Sequence, residues 1–299
     1  MKILISGASG FIGTNLTKLL RTEGHTVAQL VRPGGGLGSG DIAWDPLSAS
    51  IDTAPMEGTD AFVHLSGAGI GDGRWSPARK NVLRSSRVDT TRVLVDALAR
   101  LRQKPRVFVC ASATGFYGDR GDEILTEASE YGTDFLALLA RDWEAEATRA
   151  EHAGIRTVRL RFGVILSAEG GALPRMLVPF KLGIGGRFGS GKQWMSWIAL
   201  EDVLAATRLA IVDESVAGPA NVVAPNPVRN EDFVRELAAA IHRPAIFPAP
   251  AFALRLVLGE MADPLLLSSQ RVIPEKLLAM KFEYRFPELG SALAAALRT

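Results

Sequence analysis

Short apolar runs alternate with longer amphipathic stretches along the first half of the chain. Five such runs, rich in Val, Ile, Leu and Phe, lie at 2–6, 26–32, 61–66, 106–111 and 156–160. Two stretches between them, 75–102 and 133–151, place apolar residues three and four positions apart, which is the spacing of an amphipathic helix. Strands that alternate with helices in this way predict an α/β fold with a doubly wound parallel sheet.

The second half of the chain has a different pattern. From 163 to 197, glycines interrupt apolar and aromatic residues, a composition typical of loops that face a ligand. Helical spacing returns in three later segments, at 230–242, 251–261 and 288–297. We therefore expect a first domain at 1–165, to which later segments return, and a smaller substrate-side C-terminal domain at 166–299.

The first apolar run leads directly into a glycine-rich turn and a helix. Gly7 permits a sharp turn, Gly10 permits close approach of a pyrophosphate, and Gly13 permits close packing of the helix on the sheet. The N–H groups of the first helical turn, which contains Phe11 and Ile12, then face the phosphates, and the helix dipole adds attraction. This order predicts a Rossmann-type dinucleotide site; a purely structural turn is the alternative.

The residue that ends the second strand distinguishes NAD from NADP. An acidic side chain there would bind the ribose 2′-hydroxyl of NAD, whereas an arginine accommodates the 2′-phosphate of NADP. This chain has Arg32 at that position, and the next acidic residue is Asp41. We therefore predict NADP as the cofactor; the alternative is that Arg32 is a solvated strand end.

Composition narrows the classes of function. The 34 basic and 32 acidic residues give a net charge of +2 without a long block of like charges, so we expect no nucleic-acid partner. The single cysteine, Cys110, lies in an apolar run and predicts a buried thiol. Neither a signal-like start nor an uncharged apolar run of roughly 18 residues is evident, which favours a cytoplasmic protein without a membrane partner.

Several motifs together carry a family resemblance. Three of them are Gly7-Ala8-Ser9-Gly10-Phe11-Ile12-Gly13, Val63-His64-Leu65-Ser66-Gly67-Ala68 and Ala113-Thr114-Gly115-Phe116-Tyr117-Gly118. These resemble the epimerase/dehydratase branch of the extended short-chain dehydrogenase/reductase superfamily. Further motifs are Gly73-Arg74-Trp75 with Ser86-Arg87, Asp142-Trp143-Glu144, Ser196-Trp197-Ile198 and Arg271-Val272-Ile273-Pro274. They resemble an atypical subgroup often called epimerase family proteins, which carries its own C-terminal domain, and the resemblance spans nearly the whole chain.

The resemblance implies where particular residues lie relative to the cofactor. Leu65, Ser66 and Gly67 would pass beneath it, Arg87 would approach its adenosine side, and Ser112, Gly163, Val164 and Ile165 would lie near its nicotinamide half. His64 lies inside a strand, and we interpret it as a hydrogen-bonded structural histidine rather than a catalyst.

Hydride chemistry in this superfamily normally relies on a Tyr-x-x-x-Lys pair, in which the lysine lowers the pKa of the phenol. None of the three tyrosines here has a lysine four positions later. Alignment of the helix around Trp143 with the family puts Leu138 and Asp142 at the two positions. We therefore assign the substrate-orienting hydroxyl to Ser112 and the substitute acid to Tyr117. A packing role for Tyr117 and a base role for Asp142 are the alternatives.

Two classes of function follow. The first is an NADP-dependent oxidoreductase or epimerase acting on a small polar carbonyl or sugar-like substrate, with no metal. The second is a sensor that binds NADP(H) without turnover. Trp194 and Trp197 either pack in the core or form a pocket wall that stacks on a flat ligand. A homodimer is one option for the assembly.

Overall fold

The computed structural model describes residues 1–46, 48 and 51–298. Its strands, in chain order, are β1 (Lys2–Ser6), β2 (Thr26–Val31), β3 (Ile42–Ala43), β4 (Ala61–His64), β5 (Val107–Ala113), β6 (Ile124–Leu125), β7 (Arg156–Phe162), β8 (Val164–Leu166), β9 (Trp194–Met195), β10 (Trp197–Ala199), β11 (Gly218–Val222), β12 (Val228–Arg229) and β13 (Arg271–Val272).

Ten α-helices within the described residues connect and cover these strands. They are α1 (Phe11–Thr22), α2 (Pro77–Arg84), α3 (Thr90–Arg100), α4 (Phe135–Thr148), α5 (Leu173–Lys181), α6 (Leu200–Val212), α7 (Asn230–Ala240), α8 (Ala251–Leu258), α9 (Glu275–Ala279) and α10 (Leu289–Ala296). A π-helical turn, Ser85–Asp89, joins α2 to α3. Within the described ranges, no helix has the length and apolar character needed to cross a lipid bilayer.

Seven strands form one parallel sheet in the order β11-β7-β5-β4-β1-β2-β3. The chain runs outward from β1 in both directions, so the strand order reverses between β1 and β4. In open α/β sheets, ligands bind at this switch point, outside the carboxyl ends of the strands. The expected Rossmann-type fold is therefore confirmed, and the glycine-rich turn after β1 lies at the switch point.

The strands at the centre of the sheet are buried on both faces. Ile3, Leu4 and Ile5 of β1 are at most 1% exposed, and the rings of Phe62 and Phe108 stack at 5.7 Å on neighbouring strands. Covered faces of this kind explain why these strands are continuous apolar runs in the sequence. A second core, which includes Phe180, Trp197, Phe233 and Leu293, lies among the C-terminal helices.

The later chain both returns to the main sheet and forms the smaller C-terminal layer. Strand β11 pairs with β7 and forms the edge of the sheet. The boundary at residue 165 itself stays a prediction. Helices α5 and α6 were not expected from the sequence, because the buried face of α6 includes Asp202, Ala206 and Thr207, which hide its apolar stripe.

A buried carboxylate ties the C-terminal segment to α6. Asp202, 1% exposed, accepts hydrogen bonds from the backbone N–H groups of Arg285 (2.7 Å) and Phe286 (3.0 Å). Burial nevertheless raises the pKa of Asp202 above its usual value, against the opposing effect of these two bonds. The two N–H groups have their partner only if α6 and residues 285–286 are docked together.

We expect Asp202→Ala to lower the free energy of unfolding by about 2–3 kcal/mol, because it leaves two backbone donors without a partner. Urea denaturation followed by circular dichroism measures this change. Glu201→Ala, which removes the neighbouring exposed carboxylate, is the control and should change little. Equal midpoints for the two variants would show that the contact does not hold the C-terminal segment.

Candidate functional site

The glycine-rich turn after β1 fits tightly against the loop that follows β4. Gly7 has a φ of +75°, and a Cβ at this residue would lie 2.7 Å from the carbonyl carbon of Leu65. A Cβ at Gly13 would lie 2.7 Å from Cα of Ala8 and would overlap the carbonyl oxygen of Gly7. Both positions therefore require glycine for steric reasons, as the sequence predicts.

The first turn of α1 is left open for an anion. Gly10 is the N-cap residue, is exposed, and supplies no side chain to cap the helix. No acidic residue lies in the first turn, which Phe11 and Ile12 begin. Unpaired N–H groups and the positive end of the helix dipole at such a terminus attract phosphate.

The segment 163–171, which follows β7, packs against this turn. A Cβ at Gly170 would lie 2.6 Å from the Phe11 ring, and one at Gly171 would lie 3.6 Å from it and 3.5 Å from the carbonyl oxygen of Ile165. Val164 and Ile165 belong to β8, which pairs with β10, and Gly163 packs on the carbonyl of Ser196. The structure thus brings Gly170 and Gly171, which follow the predicted nicotinamide-side residues in the chain, beside the glycine-rich turn.

Arg32 follows β2 at the same edge of the sheet and is exposed. Its side chain has no ion pair or hydrogen bond within the ranges that the structure describes. The next acid along the chain, Asp41, is already engaged, because its carboxylate accepts the N–H groups of Gln29 (2.9 Å) and Gly38 (2.8 Å). A guanidinium, rather than a carboxylate, is therefore available at the end of β2.

Arg87 lies against the loop after β4. Its guanidinium donates to the carbonyl of Ala68 at 2.9 Å, and a Cβ at Gly67 would lie 3.0 Å from its Cζ. The ring of Trp143 lies 5.3 Å from the same carbon. Leu65, Ser66, Gly67 and Arg87 therefore form one continuous surface next to Gly7.

Ser112, at the end of β5, lies in a buried polar network. Its hydroxyl donates to Glu144 Oε1 at 2.7 Å, and Glu144 receives two bonds of 2.8 Å from Arg161 on β7. Ser112 is 3% exposed, and the side chains of Glu144 and Arg161 are 7% and 4% exposed. The structure therefore places the Ser112 hydroxyl toward α4 and away from solvent.

Tyr117 belongs to the same network and is 0% exposed. Its hydroxyl donates to Asn221 Oδ1 at 2.6 Å and accepts a bond from Arg161 at 2.9 Å. Burial raises the pKa of Tyr117 to about 12, although Arg161 and Asn221 oppose this shift. These contacts favour the packing role over proton transfer, and the acid role of Tyr117 stays a prediction.

The helix α4 has no tyrosine–lysine pair at the positions where the family carries it. Leu138 is 37% exposed, and Asp142 is ion-paired with both Arg84 and Arg141. Burial alone would raise the pKa of Asp142, but the two arginines outweigh it and lower the pKa. Because two cations hold the carboxylate of Asp142, it is a poor base. Leu136, on the same helix, lies 3.5 Å from the position that a Cβ would take at Gly115, just after β5.

The two tryptophans have different environments. Trp197 is 0% exposed in the second core, and its indole N–H donates to the carbonyl of Asn226 at 3.1 Å. Trp194 is half-buried between the guanidinium groups of Arg229 and Arg271, whose Cζ atoms lie 4.2 and 4.6 Å from its ring. Trp197 is thus a core residue, and the faces of Trp194 are stacked by arginine.

A polar cavity of about 330 Å³ lies near the end of β5. Its polar lining residues come from the loops before α4 and from α8 and the segment after it: Asp119, Asp134, Arg255, Asp263 and Ser268. A Cβ at Gly118, directly after Tyr117, would lie 3.1 Å from Asp134 Oδ2. Carboxylates, a guanidinium and a hydroxyl suit a small ligand with several hydroxyl groups. A larger cavity of about 500 Å³ lies against α7 and contains no predicted cofactor residue.

Sequence reasoning did not identify Glu144, Arg161 and Asn221 as partners. A signal was present, because Arg161 stands between Leu160 and Phe162 in an apolar strand, and a charge in a buried strand needs a counter-charge. The partner could not be chosen from the sequence, since Glu144 and Asn221 lie 17 and 60 positions from it.

A parallel sheet with a glycine-lined helix N-terminus at its switch point defines a Rossmann-type nucleotide-binding protein. The model of the NAD dependent epimerase/dehydratase family matches residues 3–224, and a domain of unknown function (DUF1731) matches residues 249–296. The chain therefore belongs to the NAD-dependent epimerase/dehydratase family, which confirms the resemblance.

Its relatives are similar over the whole chain. The epimerase family protein ML0860 of Mycobacterium leprae is 40% identical over 294 residues, covering 98% of this chain and 95% of the relative. The epimerase family protein SDR39U1 of Homo sapiens is 38% identical over 296 residues, covering 98% of both chains.

Solved structures show the same similarity. The structure of human SDR39U1 (isoform 2) with NADPH has a TM-score of 0.90 at 34% identity and covers 100% of both chains. A nucleoside-diphosphate sugar epimerase from Corynebacterium glutamicum has a TM-score of 0.82 at 39% identity, covering 99% of this chain and 58% of that one.

His64 is the structural histidine that the sequence predicts. It is 0% exposed, with Nδ1 2.5 Å from the Ser6 hydroxyl and Nε2 3.0 Å from the Thr91 hydroxyl. Burial, with a smaller contribution from the charge of Arg87, lowers the pKa of His64 to about 3. The imidazole is therefore neutral in the folded protein at neutral pH.

Because the unfolded chain protonates His64 near its ordinary pKa of about 6.5, folding stability should fall as the pH drops below that value. Between pH 7 and pH 5, the wild type should lose about 2 kcal/mol more than His64→Asn. Urea titrations at several pH values measure this difference. His152→Asn, at an exposed histidine, should retain the wild-type slope, and a wild-type slope for His64→Asn would contradict the assignment.

Proposed function

We propose that this protein binds NADP(H) at the switch point of the sheet and acts as an oxidoreductase or epimerase on a small polar carbonyl or sugar-like substrate. The observation that carries the proposal is the tight contact of Gly7 and Gly13 with backbone beside an uncapped helix N-terminus. The presence of NADPH in the structure of human SDR39U1 supports it.

The residues fit each part of the dinucleotide. The turn from Gly7 to Gly13 would hold the pyrophosphate, and Arg32 would hold the ribose 2′-phosphate. Leu65 to Gly67 would pass beneath the dinucleotide, Arg87 would approach its adenosine side, and Gly163 to Ile165 would line its nicotinamide side. When bound, the nicotinamide supplies or accepts the hydride.

The polar cavity next to β5 is the proposed substrate site. It combines residues of the loops before α4 with Arg255, Asp263 and Ser268 of the C-terminal part, so both parts of the chain would contact the substrate. Asp263 and Arg255 form a bidentate ion pair with N–O distances of 2.8–3.1 Å. This pair offers the substrate both a hydrogen-bond donor and a hydrogen-bond acceptor. A volume of about 330 Å³ restricts the substrate to a small molecule.

Ser112 and Tyr117 would act in this site as positioning residues. Their hydroxyl groups are bonded to Glu144 and Asn221, and they fix the turn Thr114–Tyr117, which ends two residues before Asp119 of the cavity lining. In this role, substitution of Ser112 or Tyr117 would loosen the turn but would not remove a proton-transferring group from the reaction.

A second candidate function, a sensor that binds NADP(H) without turnover, is favoured by one observation. The superfamily's acid and lysine positions hold Leu138 and an ion-paired Asp142, and Tyr117 is shielded from solvent. A sensor would bind NADPH tightly and transfer no hydride to any carbonyl compound.

Arg32→Asp should weaken NADPH binding by about tenfold to a hundredfold, because it removes a charge-assisted bond to the 2′-phosphate. NADH binding should change far less. Dissociation constants for both cofactors by isothermal titration calorimetry test this. Arg100→Asp, the same charge change at another exposed arginine, is the control. Equal losses for the two cofactors at Arg32 would refute the 2′-phosphate role.

NADPH absorbance against a panel of small carbonyl compounds and sugars separates the enzyme from the sensor. We expect turnover by the wild type, and in Tyr117→Phe and Ser112→Ala a lower thermal stability with the same pH dependence of kcat. Loss of one limb of the pH profile in Tyr117→Phe would instead make Tyr117 the acid. Tight NADPH binding with no oxidation across the panel would favour the sensor.

A further inference from the structure

Two arginines bind adjacent carbonyl groups of the loop after β4. Arg87 Nη2 donates to the carbonyl of Ala68 at 2.9 Å, and Arg79 Nη2 donates to the carbonyl of Gly69 at 2.5 Å. The two carbonyls belong to consecutive residues, and the charge of Arg79 is close enough to act on Arg87, so both guanidinium groups lie on the same short loop.

Among the described residues, neither Arg79 of α2 nor Arg87 of the turn Ser85–Asp89 has a carboxylate partner, unlike the other two basic residues of α2. Lys80 pairs with Glu260 at 2.5 Å, and Arg84 pairs with Asp142. For Arg79 and Arg87, the described part of the chain provides no ion pair. Burial, with a smaller contribution from the neighbouring charge of Arg79, lowers the pKa of Arg87 to about 10.

Arg79 has donors to spare, whereas Arg87 already uses Nη2 on Ala68 and Nη1 on Leu83 and Ser86 at 3.3 and 3.5 Å. Each guanidinium carries five N–H donors, and Arg79 uses one of them; its Nε is shielded from solvent without a hydrogen-bond partner among the described residues. Arg87 packs on Gly67, and Leu65, two residues earlier in the same loop, packs on Gly7. An anion at this pair would therefore lie next to the glycine-rich turn.

We infer that Arg79 and Arg87 together form a phosphate-binding site on the loop after β4. A phosphate would neutralise both charges and occupy the free donors in the planar geometry that guanidinium groups favour. The inference rests on the proposed function, since the phosphate belongs either to the dinucleotide or to a second ligand in the adjoining site. Arg79 binds the carbonyl of Gly69, which is one residue farther from Leu65 than the carbonyl that Arg87 binds. Substitution of Arg79 is therefore the change that distinguishes the two sources of the phosphate.

The test compares Arg79→Gln with Lys80→Gln, which makes the same charge change on the same helix but breaks an ion pair. NADPH affinity is measured by calorimetry, and protection by millimolar inorganic phosphate is measured as the melting temperature of NADPH-saturated protein. If the cofactor supplies the phosphate, Arg79→Gln weakens NADPH binding at least about tenfold, and Lys80→Gln changes it less than about twofold.

If a second ligand supplies the phosphate, NADPH affinity is unchanged in Arg79→Gln, and the protection by inorganic phosphate disappears. Unchanged affinity together with unchanged protection overturns the inference and leaves Arg79 as a loop support. Arg79→Lys, which keeps the charge, gives the same readouts with smaller losses should Arg79→Gln fail to fold. A wild type that does not bind NADPH refutes the proposed function, whereas phosphate protection of that protein still tests the site.

Discussion

The ion pair between Glu144 and Arg161 is the constraint on which the region around β5 depends. Its charges are buried, and removing two such charges from water costs several kcal/mol per ion in effect unless their geometry and remaining hydrogen bonds are nearly complete. Here they are complete, because the two groups form parallel bonds, Ser112 and Tyr117 occupy further positions, and the ring of Phe116 covers the guanidinium at 3.6 Å. α4, β5, β7 and β11 must therefore dock together.

This requirement separates the two halves of the candidate site. At the ends of β1, β2 and β4, backbone geometry and unpaired cations leave space and charge for a dinucleotide. At the end of β5 and in the turn that follows it, Ser112 and Tyr117 complete the coordination of a buried ion pair. The end of β1 thus has the backbone geometry of a nucleotide-binding turn, whereas the hydroxyl groups after β5 belong to a buried polar network.

Features of this molecule that depend on interactions between residues close in sequence could be predicted, whereas features that depend on contacts between distant residues could not. The turn from Gly7 to Gly13 could be predicted from the sequence because it needs only local backbone geometry. The central strands could be predicted because both of their faces are apolar. Trp197 could not be assigned to the core, since its neighbours Phe180 and Phe233 join it only through tertiary packing. The networks of Tyr117 and Arg79 were missed for the same reason, because hydrogen bonds to Asn221 and Gly69 depend on how separate loops meet.

The position of β11 at the edge of the main sheet has a consequence for biosynthesis. A nascent chain that ends after β8 has already made the glycine-rich turn and six of the seven strands, but β7 then carries a row of unpaired backbone groups. Such an open edge is prone to pair with other chains until it is covered. Gly218–Val222 closes it and brings Asn221 to Tyr117 in the same step. The first domain is therefore completed only late in translation, after α5 and α6 have emerged from the ribosome.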